Sequence, residues 1–448
     1  MTSSASVMKP TTGDTKIPSL HKRVVLGAAI SEIGFGITLT GLVFFTPAVL
    51  ADFPSWSSSS FMVYYTIYGL ASALAMPIAG ALIDRFKAQG LMLIGGIIAA
   101  LGLLLFGVSN SLWMFYLAGL VMGLGVGLSV QYVPIVVINR WFVEKRGTMM
   151  GLILAGSGLG GVILGIIVPP LIMSAGWRTT IFILAAMMAV TTVLPSIFLI
   201  RNTPEQYGME AYGASFADAT EKTESSGFDP GMFRDEALKN AWFYILALSL
   251  FTLGILHAMN LHAVNYLAGE PWGIKFSPQL ASVIVVLATV LLIPYKPLFG
   301  WLVDKLGLGA TMVLTLGLFA VGSVIWAFAR TPVLFVIAII MIALGNAAGS
   351  VSPPLVVERA VGQRDYAKLW AILGMAYPIG LSAGAPVWGL VPDLTGGYFW
   401  GFISVPFITA IILLGMLVSV RKNREVWVPR AEAAAEVAPE PITVRRNT

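Results

Sequence analysis

A chain of 448 residues that is 57% hydrophobic and only 11% charged, with a mean hydropathy of +0.85, lacks the polar surface a set of soluble domains would need. The absence of cysteine excludes disulfides, thiol chemistry and thiolate metal sites. The net charge of +5 comes from cations scattered among short loops, which argues against a nucleic-acid partner and for a membrane protein.

Residues 1–23 form a polar N-terminal tail without a cleavable leader. Apolar stretches of roughly twenty residues, enough to cross about 30 Å of hydrocarbon as helix, then predict twelve spans. They lie at 24–50, 59–83, 91–108, 112–138, 148–173 and 178–200, within a first bundle of residues 24–200, and at 241–268, 278–303, 309–329, 332–357, 367–391 and 398–420, within a second bundle of residues 240–420. The stretches are continuously apolar rather than alternating, so helices are expected and barrel strands are not. Residues 201–239 form a polar linker, and 421–448 read by composition as a disordered tail. Arg85, Arg140, Lys145, Arg146, Lys305, Arg359, Arg364, Lys368 and Arg421 all fall on one side. The opposite loops offer only Arg178, Lys275 and Arg330, which predicts cytoplasmic termini.

The two bundles repeat. Subtracting 77 from 297 gives an offset of 220, at which Pro77, Gly80 and Asp84-Arg85 recur as Pro297, Gly300 and Asp304-Lys305. Gly34 likewise falls on Gly254, Gly125 on Gly345 and Pro134 on Pro354. An even number of spans per unit makes the halves parallel repeats about an axis along the membrane normal, with a substrate site between them. In each Gly-x-x-x-Asp copy the glycine admits a neighbouring helix, and the aspartate pairs with a cation or caps a helix N-terminus. The two copies, with Arg140 and Arg146 on the adjoining loop, are expected to form a cytoplasmic gate, or else serve only to set topology. Gly156-Ser-Gly158-Leu-Gly160-Gly161 matches a dinucleotide pattern, but it lies inside an apolar span with no preceding strand, so it reads as a packing face.

This doubled motif on two six-span halves resembles the signature of the major facilitator superfamily over nearly the whole chain. Arg140-Trp-Phe-Val-Glu144-Lys145-Arg146-Gly147, Pro204-Glu-Gln-Tyr-Gly208 and Phe233-Arg-Asp-Glu-Ala-Leu238 look like its bacterial branch of monocarboxylate porters and oxalate/formate antiporters. The resemblance implies an all-α membrane protein of twelve transmembrane helices in two parallel six-helix pseudo-repeats. It also implies alternating access around a midplane site, in a bacterial inner membrane. A monomer without cofactor or metal is expected.

The resemblance also directs attention to Lys296, because that family carries a cation just before the proline that leads into the second motif. Its repeat mate is Met76. Lys296 precedes Asp304 by eight residues, or ~12 Å along a helix. An ionised lysine at that depth costs at least ~3 kcal/mol unless paired or hydrated. It either faces inward and holds a substrate carboxylate, or snorkels to the interface. Glu32 lies at a similar depth, ~13 Å beyond Arg23, and has Thr252 as its mate. It can pair with Lys296 if the two helices face each other, either coupling substrate to a proton or as a static bridge, and otherwise caps local structure.

In the seventh span His257, Asn260 and Asn265 share one broad helical face. They are expected to line a cavity, with His257 as carboxylate donor or proton carrier, or else to bond helix to helix. Gln131, Tyr132, Tyr295, Asn346 and Tyr377 are further candidates for substrate contact. Oxalate-type relatives carry a second lysine in the eleventh span, and this chain has none from Gly374 to Gly389, so one deep cation suits a monoanion. With no H-E-x-x-H or P-loop motif, neither an enzyme nor an ATP-driven pump is expected. The expected function is secondary transport of a small organic anion, proton-coupled or by exchange. The alternatives are a different small solute, such as oxalate or formate, an aromatic acid or a drug, or a channel or receptor.

Overall fold

The computed structural model describes residues 17–39, 41–56, 58–214, 231–268, 274 and 276–437. Helix α1 spans Ser19–Leu39 and continues through a 3₁₀ turn at Gly41–Phe45 into Thr46–Asp52. The long helical stretch Ser58–Val108 is two helices, α2 (58–86) and α3 (88–108), that meet at Lys87, whose φ of 58° and ψ of 170° are not helical. Helix α4 (Leu112–Leu128) resumes at Val133–Trp141 after a break. Pro134 explains that break, because its ring would clash with the carbonyl of residue 130 in a continuous helix. Helices α5 (Arg146–Ala175) and α6 (Trp177–Phe198) complete the first half.

The second half opens with α7 (Ala241–His257), carried on by a 3₁₀ turn at Ala258–His262 and by Ala263–Ala268. Then follow α8 (Pro278–Leu306), α9 (Leu308–Phe328) and α10 (Pro332–Val361). Helix α11 is split into Tyr366–Leu373 and Ala376–Thr395, with Pro378 four residues beyond the break at Gly374. Helix α12 is Phe399–Val437. Among the described residues, ten helical stretches are long and apolar enough to cross a membrane, and one of them, Ser60–Val108, is a continuous run of α2 and α3. With the broken α1 this makes the twelve-helix, all-α membrane architecture.

Small residues set the helix spacing. Gly119, Gly123 and Gly127 of α4 face the Tyr64, Tyr68 and Ser72 carbonyls of α2, each so closely that a Cβ would collide. The four-residue period is matched on both helices. Gly156 and Gly160 meet the Ala29 and Ile33 carbonyls of α1 in the same way, so the dinucleotide-like run is occupied by helix packing.

The C-terminal segment departs from the expected disordered tail, because α12 runs helically to Val437. Alanine and glutamate are strong helix formers, and the extension is docked. Asn423 is fully buried and accepts from Asn240 Nδ2 at 3.1 Å. Trp427 Nε1 donates to the Ala360 carbonyl at 2.9 Å, and Arg430 pairs with Glu236 at 2.8 Å. The linker is anchored at both ends to matching loops. Tyr212 N donates to the Trp141 carbonyl at 2.9 Å and Met232 N to the Val361 carbonyl at 2.8 Å; these acceptors are a repeat apart, since 361 minus 141 is 220. The acidic, serine-rich run at 220–227 lies outside the described residues.

Candidate substrate site and gate

The two halves close on each other at the face that carries the described ends of the chain and the linker. Gly300 of α8 lies against Gly147 of α5 with no room for a Cβ on Gly300, and Gly80 of α2 lies against Ala371 of α11. Asp304 accepts three hydrogen bonds at the start of α5: from Gly147 N at 2.9 Å, Thr148 N at 2.7 Å and Thr148 Oγ1 at 2.6 Å. A carboxylate there meets both unsatisfied amides and the positive end of the helix dipole. Asp84 instead pairs with Lys368 at 3.2 Å. The two alternatives for the motif aspartate are thus divided between the copies, and their partners match, because 368 minus 148 is again 220.

Arg146 pairs with Glu358 of α10, and the Tyr132 hydroxyl donates to the Ala367 carbonyl at 2.8 Å. Tyr132 is therefore part of the closed layer between the halves. Arg140 bonds within its own half, to Asn202 Oδ1 at 2.8 Å. Arg85 lies over Phe86 and Lys305 over Trp301. Sequence reasoning missed Thr148, Lys368 and Glu358. Adding the repeat offset to Thr148 would have pointed to Lys368.

Lys296 is turned inward and is only 7% exposed. Its Nζ donates to the Leu154 carbonyl at 2.9 Å and to Ser157 Oγ at 3.0 Å. Ser157 Oγ spends its own hydrogen on that same carbonyl, at 2.8 Å, which leaves its lone pairs for the ammonium. Glu32 is buried against the adjoining face of α5, where its Cβ lies 2.9 Å from the position a Cβ on Gly156 would take. The two charges attract each other, but no ion pair joins them among the described contacts, and Glu32 Oε2 is buried without a hydrogen-bond partner. The two side chains therefore do not form a contact pair, and α5 stands beside both groups. A buried ammonium held by neutral acceptors alone keeps part of its desolvation cost, which an arriving anion can offset.

Four further candidates come together at one place in the second half. His257 Nδ1 is 3.1 Å from the Tyr377 hydroxyl. Asn260 Nδ2 donates to Asn346 Oδ1 at 2.9 Å and Asn346 Nδ2 returns a bond to Asn260 Oδ1 at 3.1 Å. Asn260 also reaches the His257 carbonyl at 2.8 Å, where the helix gives way to the 3₁₀ turn. Gly349 makes room for the His257 ring, which packs edge-on to Phe319 at 5.2 Å. Replacing Asn260 with leucine is expected to cost about 1–3 kcal/mol by leaving the Asn346 amide unpaired, read as a lowered Tm in detergent. Gln131 sits in the α4 break with Oε1 buried and unpartnered, and Tyr295 is half-buried beside Lys296. The Asn265 side chain lies outside the described residues. Among the described residues no group of His, Asp or Glu could hold a metal ion.

A family model described as Major Facilitator Superfamily matches residues 24–269 and again residues 240–447. The chain is 26% identical over 390 residues to monocarboxylate transporter 13 of Rattus norvegicus, covering 85% of this chain and 84% of that protein. It is 23% identical over 389 residues to monocarboxylate transporter 12 of Homo sapiens, covering 81% and 73%. Its fold aligns with a solved proton:xylose symporter at a TM-score of 0.68 and 14% identity, over 92% of this chain and 96% of that one.

Proposed function

Because this chain belongs to the major facilitator superfamily and is an integral membrane transporter of small solutes, we propose that its cargo is a small organic monoanion whose carboxylate binds Lys296. The observation that carries this reading is the buried ammonium, whose hydrogen bonds among the described residues go to Ser157 Oγ and a backbone carbonyl. A carboxylate offers a full opposite charge where these offer partial ones, and charge-assisted bonds are roughly twice as strong as neutral ones. Binding between the halves, followed by separation of the α5–α8 and α2–α11 contacts, gives alternating access.

Charge balance favours proton symport. Without substrate, Lys296 and ionised Glu32 sum to zero; with the anion bound the site carries one negative charge, and a proton on Glu32 restores neutrality. A neutral buried site is cheaper to pass through a low-dielectric transition than a charged one. Exchange is the second reading and requires Glu32 to keep one protonation state throughout. Uptake into proteoliposomes is expected to accelerate under an inward proton gradient, and Glu32→Gln is expected to remove that acceleration while anion exchange continues. Uptake indifferent to the gradient in the unmodified protein would rule out Glu32 as the carrier. The distribution of loop cations supports cytoplasmic termini. The likeness of the loop motifs to the bacterial branch is the basis for an inner-membrane location, and we take the working unit to be the monomer.

A further inference from the structure

His21 joins three segments at the face that carries the linker. It lies in the first turn of α1, ahead of the predicted span at 24–50, and is only 1% exposed. Its Nε2 stands 3.2 Å from the Glu210 carbonyl of the linker, and its ring packs edge-on among Trp141, Phe142 and Tyr212, with centroids 4.9, 5.7 and 6.4 Å away. Beside it the linker and the α4–α5 loop hold each other: Tyr212 N donates to the Trp141 carbonyl, and the Tyr212 carbonyl accepts from Val143 N at 2.9 Å and Glu144 N at 3.0 Å. The next residue, Lys145, has a φ of 57°, a left-handed conformation unfavourable for a residue with a Cβ. It leads directly into the first turn of α5, where Gly147 and Thr148 meet Asp304. The repeat holds no second copy of the histidine, because 21 plus 220 falls on Ala241.

A neutral imidazole has one hydrogen to place. A carbonyl only accepts, so that hydrogen sits on Nε2, and Nδ1 is left as a bare acceptor, buried without a partner. The pocket suits the neutral ring alone. Protonation adds a hydrogen at Nδ1, where nothing accepts it, and puts a charge among apolar rings. The charged groups on the packed elements are Lys22 and Arg23 of α1, Arg140 of α4, Glu144 and Lys145 of the loop, and Glu210 of the linker. Cations outnumber carboxylates there, and neither carboxylate bonds the ring among the described contacts. Burial outweighs the bond to the Glu210 carbonyl and holds the ring's pKa below the ordinary histidine value. Docking of the linker is therefore at full strength above that ordinary value, about 6.5, and weakens as pH falls below it.

We propose that His21 is an acid sensor on this face: a proton on its ring releases the start of the linker from the α4–α5 loop, frees Lys145 to leave its left-handed conformation, and loosens the Asp304 cap on α5. Acid on the linker-bearing side then favours opening of that side. The sensor stands apart from the carboxylate reading, since none of these groups bonds to Lys296 among the described contacts.

The test is hydrogen exchange read by mass spectrometry on the purified full-length protein, with each rate divided by the intrinsic rate at the same pH. Protection of the Tyr212, Val143 and Glu144 amides should fall several-fold between about pH 7.5 and about pH 5.5, to a limit of about tenfold set by one proton and an ordinary value of about 6.5. Protection of Gly147 and Thr148 should fall with it. The other anchor of the linker, Met232 N on the Val361 carbonyl, has no histidine in its loop and should hold. His21→Gln keeps an N–H for the Glu210 carbonyl without titrating, and His21→Phe fills the same aromatic space without the bond. In both variants protection should not change with pH, and in the phenylalanine variant it should be lower throughout. Constant protection in the unmodified protein overturns the proposal, as does a fall that persists in both variants or is matched at Met232. A fall confined to the linker, with Gly147 and Thr148 unmoved, overturns its connection to the gate.

Discussion

Replacing Lys296 with alanine is expected to lower uptake of the anionic substrate in proteoliposomes by about 100-fold or more, since removing one partner of a buried charge pair costs 2–5 kcal/mol. The protein should still insert and fold. Lys296 contributes little to the architecture: α8 meets α5 there through its backbone, with Gly151 against the Lys296 carbonyl, and that contact survives truncation of the side chain. Deleting the ammonium relieves its own desolvation cost while Glu32, left without its balancing charge, takes up a proton, so Tm should change little. Lys296→Arg separates charge from shape. It keeps the cation, but the planar fork cannot reproduce the arrangement with Ser157 and the Leu154 carbonyl, so partial activity with weakened affinity is expected. Undiminished uptake by the alanine variant, at equal reconstitution, contradicts the assignment.

The second large effect concerns closure. Asp304→Asn should loosen the closed face far more than Asp84→Asn, although the two residues are repeat mates. Asp304 accepts three hydrogen bonds at the N-terminus of α5, where charge, dipole and amides act together. Weakening them should cost about 1–2 kcal/mol, a population shift of about five- to thirtyfold toward the open face. The Asp84–Lys368 pair has side chains 65% and 39% exposed, and such surface pairs contribute about 0–1 kcal/mol. The chain has no cysteine, so a single introduced thiol reports opening without background. Met76 is suited to this: it is buried in α2 and lies against Gly374 of α11 across the interface between halves. Labelling of Met76→Cys from that face should quicken about five- to thirtyfold with Asp304→Asn and by less than about fivefold with Asp84→Asn. Equal effects of the two substitutions would mean that helix capping does not hold the latch.

The reach of the sequence can be judged from these residues. The constant offset exposes the halves, the motif glycines and both aspartates, because backbone contact between helices demands small residues whose spacing is written along the chain. The partners of the aspartates are not written locally. Thr148 and Lys368 become legible only once it is known that α5 touches α8 and α11 touches α2, and one partner is a neutral hydroxyl that no charge count would select. The inward turn of Lys296 agrees with its depth, but its acceptors, a serine and a backbone carbonyl, carry no signal in composition. Glu32 and Lys296 share a depth without sharing a contact, since depth fixes one coordinate and the helix between them decides the rest. In α12, composition alone favoured disorder, whereas docking against Ala360 and Glu236 holds the extension in place.

Recognition of a carboxylate at Lys296 is tested most directly by comparing an acid with its own uncharged form. Binding of a monocarboxylate and of its methyl ester to the purified protein should differ by about 100-fold in favour of the acid, and the difference should vanish in Lys296→Ala. An ester bound as tightly as the acid, or a preference for the acid undisturbed in the alanine variant, would contradict it.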